Sequence, residues 1–168
     1  MQVALPDPCL VILCGPAGCG KSSFAGRHFI PTAVVSSDRC RALIVDDERD
    51  SRVSAAAFAL FHHIIDSRLA FGRLTVADST ALHPNARRDL RRIARRRAAP
   101  VALVAFDIPE EVCIAWNVGR SRRVPRSVIR RQRRQLEDAL ARVETEGYDQ
   151  VVVLGRDDVG GVSIRIGR

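Results

Sequence analysis

The chain has 168 residues, 46% hydrophobic and 27% charged, with a formal net charge of +8 and a pI near 10.4. That length fits one domain with a substantial core, and that balance excludes an intrinsically disordered chain. No apolar stretch is long enough to span a bilayer and the N-terminus lacks the features of a secretory signal, so the expected address is cytoplasmic, with no membrane partner, and the basic surface suits polyanions, most naturally nucleic acid.

Cys9 to Cys14 is a continuous apolar run, as expected of a strand buried on both faces. It leads into Gly15, Pro16, Ala17, Gly18, Cys19, Gly20, Lys21 and Ser22, a complete G-x-x-x-x-G-K-[ST] loop, and Lys21 to Phe29 continues as a helix. Of the twenty-seven basic residues, Lys21 is the one lysine. A compact ammonium reaches between the β- and γ-phosphates of a nucleotide, where a planar guanidinium does not nest. The loop N–H groups and the helix N-terminus favour phosphate oxygens, and the Ser22 hydroxyl is placed to ligate Mg²⁺ or Mn²⁺. With Ser23, these residues are the expected ATP-binding segment.

Farther along, Ala33 to Ser36 reads as a second strand that delivers Ser37, Asp38 and Arg39, followed by a short helix from Arg39 to Val45. A charged loop then precedes a long helix from Val53 to Phe71, closed by Gly72. Leu74 to Ala77 is a third strand ending at Asp78, Ser79 and Thr80. Pro84 and Asn85 open a helix to about Arg97, Val101 to Phe106 is a fourth strand, and Pro109 begins a helix through Val118. An arginine-rich connection from Gly119 to Pro125 leads into a long amphipathic helix, and Gln150 to Leu154 is a fifth strand. The predicted fold is α/β, a single doubly wound P-loop domain over residues 1–168, with a parallel five-stranded sheet flanked by helices, a lid, and ligands outside the carboxyl ends of the strands.

Asp38 and Asp78 each follow an apolar strand, which brings both toward Lys21 and Ser22. A carboxylate can orient an acceptor hydroxyl and take its proton as phosphoryl transfer proceeds. Asp38 is the candidate base, with an N-cap as its structural alternative, and Arg41 one turn later is a candidate for holding an acceptor phosphate. Asp78 either positions the metal through water or holds a loop. Arg120, Arg122 and Arg123 sit where a lid would deliver charge to the transferred phosphoryl group. Arg87, Arg88, Arg91, Arg92, Arg95, Arg96 and Arg97 are expected to form a solvated face, with a nucleic-acid-reading helix as the alternative, around an inward stripe of Leu90, Ile93 and Ala94. Five cysteines without C-x-x-C spacing read as reduced core residues.

These motifs together resemble the 5′-polynucleotide kinase module of the bacterial polynucleotide kinase/phosphatase RNA-repair proteins, related to the phage end-healing kinase. The resemblance rests on the phosphate loop and its continuation through Ala25, on His28, Phe29, Pro31 and Thr32, on Ser36 to Asp38 with Cys40, Arg41 and Leu43, on Asp46 to Glu48, on Leu74 to Thr80, and on Val128 to Arg130. It implies ATP-dependent phosphorylation of RNA or DNA 5′-OH ends, for end healing in nucleic-acid repair. Lys21, Arg120 and Arg123 would contact the donor phosphates, Ser22 the metal, Asp38 would be the base, and Arg41 and Thr80 would lie on the acceptor side. It also implies fused phosphatase and ligase-like modules and a methyltransferase partner. Two positions depart from the family pattern: Trp116 replaces an arginine one turn before Arg120, and Ala81 replaces an asparagine. Trp116 has base stacking as one reading, but it shares a helical face with Val112 and Cys113, and core packing is the favoured expectation. A metabolite kinase and a nucleotide-regulated nucleic-acid-binding module are the competing classes.

Overall fold

The computed structural model describes residues 1–119 and 123–167. Its elements run β1 (Gln2–Pro6), β2 (Leu10–Cys14), α1 (Lys21–His28), β3 (Val34–Ser36), α2 (Ser37–Val45), α3 (Ser54–Ala70), β4 (Thr75–Asp78), α4 (Pro84–Arg96), β5 (Val101–Phe106), α5 (Glu110–Val118), α6 (Arg126–Val143), β6 (Gln150–Leu154), α7 (Asp158–Gly161) and β7 (Ser163–Gly167). The five expected strands form one sheet in the order β3-β4-β2-β5-β6, and every pairing is parallel.

Alternation along β2 explains why the sheet is covered on both faces. Val11 and Leu13 join a cluster with Phe24, Phe106, Val112 and Ile129, whereas Leu10, Ile12 and Cys14 join one with Phe61, Ile65, Leu90 and Leu136. Helices α1 and α5 thus cover one face, α3 and α4 the other, and α6 contributes to both. Each such Phe, Leu or Ile side chain stabilises the fold by about 1.5–3 kcal/mol on burial. All five cysteines are free and buried, as expected. Burial pushes the Cys9 and Cys113 thiols up to about 12 and Cys14 to about 11, so they are poor nucleophiles.

A second, two-stranded sheet pairs β1 with β7 in parallel and adds Val3 and Leu5 to the core. Neither strand was anticipated. Helix ends follow local chemistry: after α3, Gly72 at φ 62° lets its own N–H bond Leu69 and the Arg73 N–H bond Arg68. After α4 the same arrangement recurs with Ala98 at φ 50° in the glycine position. Among the described residues no helix is long and apolar enough to cross a membrane.

Candidate active site

The phosphate loop leaves the carboxyl end of β2, Ser37 follows β3 and Ser79 follows β4, so parallel pairing brings all three segments to one edge. Strand β2 lies between β4 and β5, where the chain order reverses, which is where a doubly wound sheet opens a crevice. A cavity of about 810 Å³ occupies that edge.

The loop needs glycine at two positions for different reasons. A Cβ on Gly18 would lie 2.7 Å from the Cys113 carbonyl oxygen, so only glycine lets the loop lie against α5. Gly20, at φ 92°, occupies the left-handed region as it caps α1. Lys21 is buried, and its Nζ donates to the Gly15 and Pro16 carbonyls at 2.9 and 2.7 Å and reaches the Cys19 sulfur at 3.5 Å. The ammonium is therefore curled into its own loop. The Ala17 N–H donates to Gln132 Oε1 of α6 at 2.8 Å, so a side-chain oxygen occupies a loop donor.

Ser22 Oγ donates to Asp78 Oδ2 at 2.9 Å. A hydroxyl and a carboxylate at the first turn of α1 are a hard-oxygen donor set that fits Mg²⁺ or Mn²⁺. Asp38 is the second residue of α2, and the cap is Ser36, whose side chain accepts from the Arg39 N–H at 3.4 Å. The helix thus starts two residues earlier than expected, and the capping alternative for Asp38 is removed. Asp38 is partly exposed and pairs with Arg41, and the Arg41 guanidinium lies 6.0 Å from the Phe58 ring centroid. Both line the cavity, as does Thr80, whose carbonyl accepts the Gly15 N–H at 2.9 Å.

Arg120 lies outside the described residues. Arg123 is exposed and outside the described lining of the cavity. The connection that carries them is closed at its base by Asn117, which donates from Nδ2 to the Val124 carbonyl at 2.9 Å and accepts the Val124 N–H at 3.0 Å. The expected core position of Trp116 is corrected: it is 41% exposed and lines the cavity beside Gly20. Helical periodicity does not separate a side chain facing the core from one facing a cavity.

Arg87 corrects the solvated-face reading of α4. It is fully buried, donates to both carboxylate oxygens of Glu146 at 2.9 and 2.5 Å, and donates to the Ala81 and Leu82 carbonyls at 3.0 and 2.7 Å. It therefore clamps the segment after β4, where Ala81 sits at φ 47°. Tyr148 donates to Glu146 at 2.8 Å and Arg91 stacks over the Tyr148 ring. Burial pushes the Glu146 carboxyl up, but hydrogen bonds from Arg87 and Tyr148 and the charges of Arg87 and Arg91 hold it below its usual value. Arg96 and Arg97 pair with Asp66 of α3 at the far end of the helix.

Comparison with known proteins agrees with this fold. The chain matches the AAA domain family over residues 10–139. It belongs to that family. No curated protein matches the sequence. Among solved structures, a chain of the Pnkp1/Rnl/Hen1 RNA repair complex is similar at a TM-score of 0.70 and 20% identity, over 82% of this chain and 47% of that one. The chain thus spans about half the length of that neighbour. The Mycobacterium tuberculosis APS kinase CysC, solved with AMPPNP and APS, is similar at 0.54 and 17% identity, over 91% of each chain. A gluconokinase from Sinorhizobium meliloti 1021 is similar at 0.56 and 20% identity, over 90% of this chain and 84% of that one. At these identities the neighbours establish a P-loop kinase fold, shared by kinases of unlike substrates.

Proposed function

We propose that this AAA-family domain transfers the γ-phosphate of ATP to the 5′-OH of an RNA or DNA end. The observation that carries the reading is the cavity itself, which joins the phosphate loop to a carboxylate and a guanidinium, Asp38 and Arg41, on the acceptor side. Asp38 orients the 5′-OH and accepts its proton as the oxygen bonds to the γ-phosphorus and the bond to the β-bridging oxygen breaks, releasing ADP. Lys21, the loop N–H groups and the lid arginines Arg120 and Arg123 offset the charge that spreads over the transferred group. Ser22 directly, and Asp78 through water, would hold a divalent ion, which supplies further neutralisation of the phosphates. Arg41 leaves Asp38 to grip the phosphate that follows the acceptor hydroxyl.

A net charge of +8 and the likeness to an RNA-repair chain favour a polymer over a metabolite. On this reading the domain works with phosphatase, ligase-like and methyltransferase modules, and in the cytoplasm. The test offers γ-labelled ATP and Mg²⁺ with 5′-OH oligonucleotides, nucleosides, nucleoside 3′-monophosphates, and a panel of sugar and sulfonucleotide hydroxyls. Label is expected on oligonucleotides and nucleoside 3′-monophosphates, and Arg41→Ala is expected to erase a preference of roughly ten- to a hundredfold over the nucleoside, the worth of one charge-assisted contact. Transfer to the metabolite panel alone would overturn the reading, and oligonucleotide binding without transfer would make the domain a nucleic-acid-binding module.

A further inference from the structure

The cavity is chemically divided. On the β3–β4 side its wall is polar and charged, with Ser36, Asp38, Arg41, Asp78, Thr80 and His83. On the β6 side Trp116, Val124, Val128 and Val159 form an apolar patch, edged by Gln132 and Arg156, and the phosphate loop runs between the halves. Trp116 is set into this second half by α5, which turns Val112, Cys113 and Asn117 inward. Its six-membered ring leans on the start of α1: a Cβ built on Gly20 would lie 3.6 Å from Trp116 Cζ3 and 3.7 Å from a Val159 methyl. Gly20 thus lies close to that edge of the indole, with Val159 on the same spot, while 41% of the residue stays open in a cavity wall. The turn carrying Val159 is itself tied down, because Arg27 of α1 donates to the Val159 carbonyl at 2.6 Å.

A nucleoside triphosphate is divided in the same way, into a charged tail and a flat base. On the reading above, the γ-phosphate must face Asp38, so the nucleoside leaves the loop on the opposite side, toward β6. We infer that Trp116 is the base-stacking platform of the donor site, and that it gives the site a preference for purine nucleotides. The sugar-phosphate end is held by the loop, and the base lies on the indole face within the apolar patch. A purine covers more of the ring than a pyrimidine does, which is the origin of the preference.

Trp116 is the one tryptophan of the chain, so its emission reports the platform directly. The experiment titrates the intact chain with ATP, GTP, CTP, UTP and inorganic tripolyphosphate, and reads indole emission and, separately, affinity by calorimetry. ATP and GTP are expected to quench the emission and to bind more tightly than CTP and UTP, while tripolyphosphate binds without the quench. Trp116→Ala is expected to weaken ATP roughly five- to a hundredfold and abolish the purine preference, with tripolyphosphate binding retained; Trp116→Phe is expected to keep most of both. The inference is overturned if tripolyphosphate quenches as ATP does, if Trp116→Ala binds ATP as the wild type does, or if it loses ATP and tripolyphosphate equally, which would mean that the ring only shapes the loop. None of these readouts involves an acceptor. A platform with no transfer to oligonucleotides would defeat the acceptor assignment and leave this one standing.

Discussion

Replacing Glu146 by alanine tests the part of the site that is farthest from its chemistry. Arg87 has no exposed surface and Glu146 is only 11% exposed, so the alanine leaves a buried guanidinium without its counter-charge. Removing one partner of a buried pair costs about 3–5 kcal/mol, and the Ala81 and Leu82 carbonyls, neutral acceptors, offset little of it. For a domain of this size each kcal/mol moves the midpoint by about 2–4 °C, so the expected fall in thermal melting is about 6–20 °C. The pH dependence gives an independent check. Glu146 is held below its usual carboxylate value in the fold, so its contribution is present above the unfolded value of about 4.3 and is lost as pH falls through the folded one. The stability gap between wild type and variant, read by urea titration, should therefore close in acid below about pH 4.3 and stay open at neutral pH. A neutral-pH cost below about 1 kcal/mol, or a gap indifferent to acid, would refute the argument that a buried charge is being neutralised.

Lys21→Met removes the ammonium but keeps the chain length; turnover is expected to fall at least a hundredfold with an unchanged far-UV circular dichroism spectrum, and near-normal turnover by the folded variant would remove Lys21 from the transition state. Asp38→Asn loses a partly exposed ion pair and a charge at a helix N-terminus, together about 1 kcal/mol, yet should lower turnover by about two to four orders of magnitude; a large melting shift with activity retained would reverse that assignment. Ala98→Gly relieves a left-handed alanine at the end of α4; against about 1–2 kcal/mol of Cβ strain stands about 0.4–1 kcal/mol of added unfolded-state freedom, so melting should hold or rise by up to about 6 °C, and a fall would show that the methyl group makes a contact worth more than the strain.

The five-stranded sheet was legible because parallel strands buried on both faces read as unbroken apolar runs, bounded here by glycine, proline and aspartate. The β1–β7 ribbon was not, because Gln2–Pro6 and Ser163–Gly167 are short, mixed in polarity and partnered across nearly the whole chain. Within the site, residues fixed by a local rule were foreseen: Lys21 and Ser22 by the loop, Asp38 and Asp78 by their places after strands. Residues defined by a distant partner were not. Arg87 is one arginine in a run of them, and its full burial against Glu146, 59 positions away, and against the Ala81 and Leu82 carbonyls distinguishes it. Gln132 and Asn117 carry no motif, since each completes a backbone hydrogen bond that exists only once the helices have packed. Asp38 was placed at the correct edge but one element too early, because Ser36 competes for the same cap and wins it.

The solitary lysine turns the phosphate loop into a chemical reporter. An amine-directed acylating reagent has one side-chain target in the whole chain, the Lys21 Nζ, which is buried and bonded to the Gly15 and Pro16 carbonyls. Acylation at that position requires the ammonium to uncurl, so its rate measures how often the loop opens in the wild-type protein. A bound polyphosphate that engages the ammonium would slow it in proportion to occupancy, and peptide mapping would separate this signal from the one α-amino group.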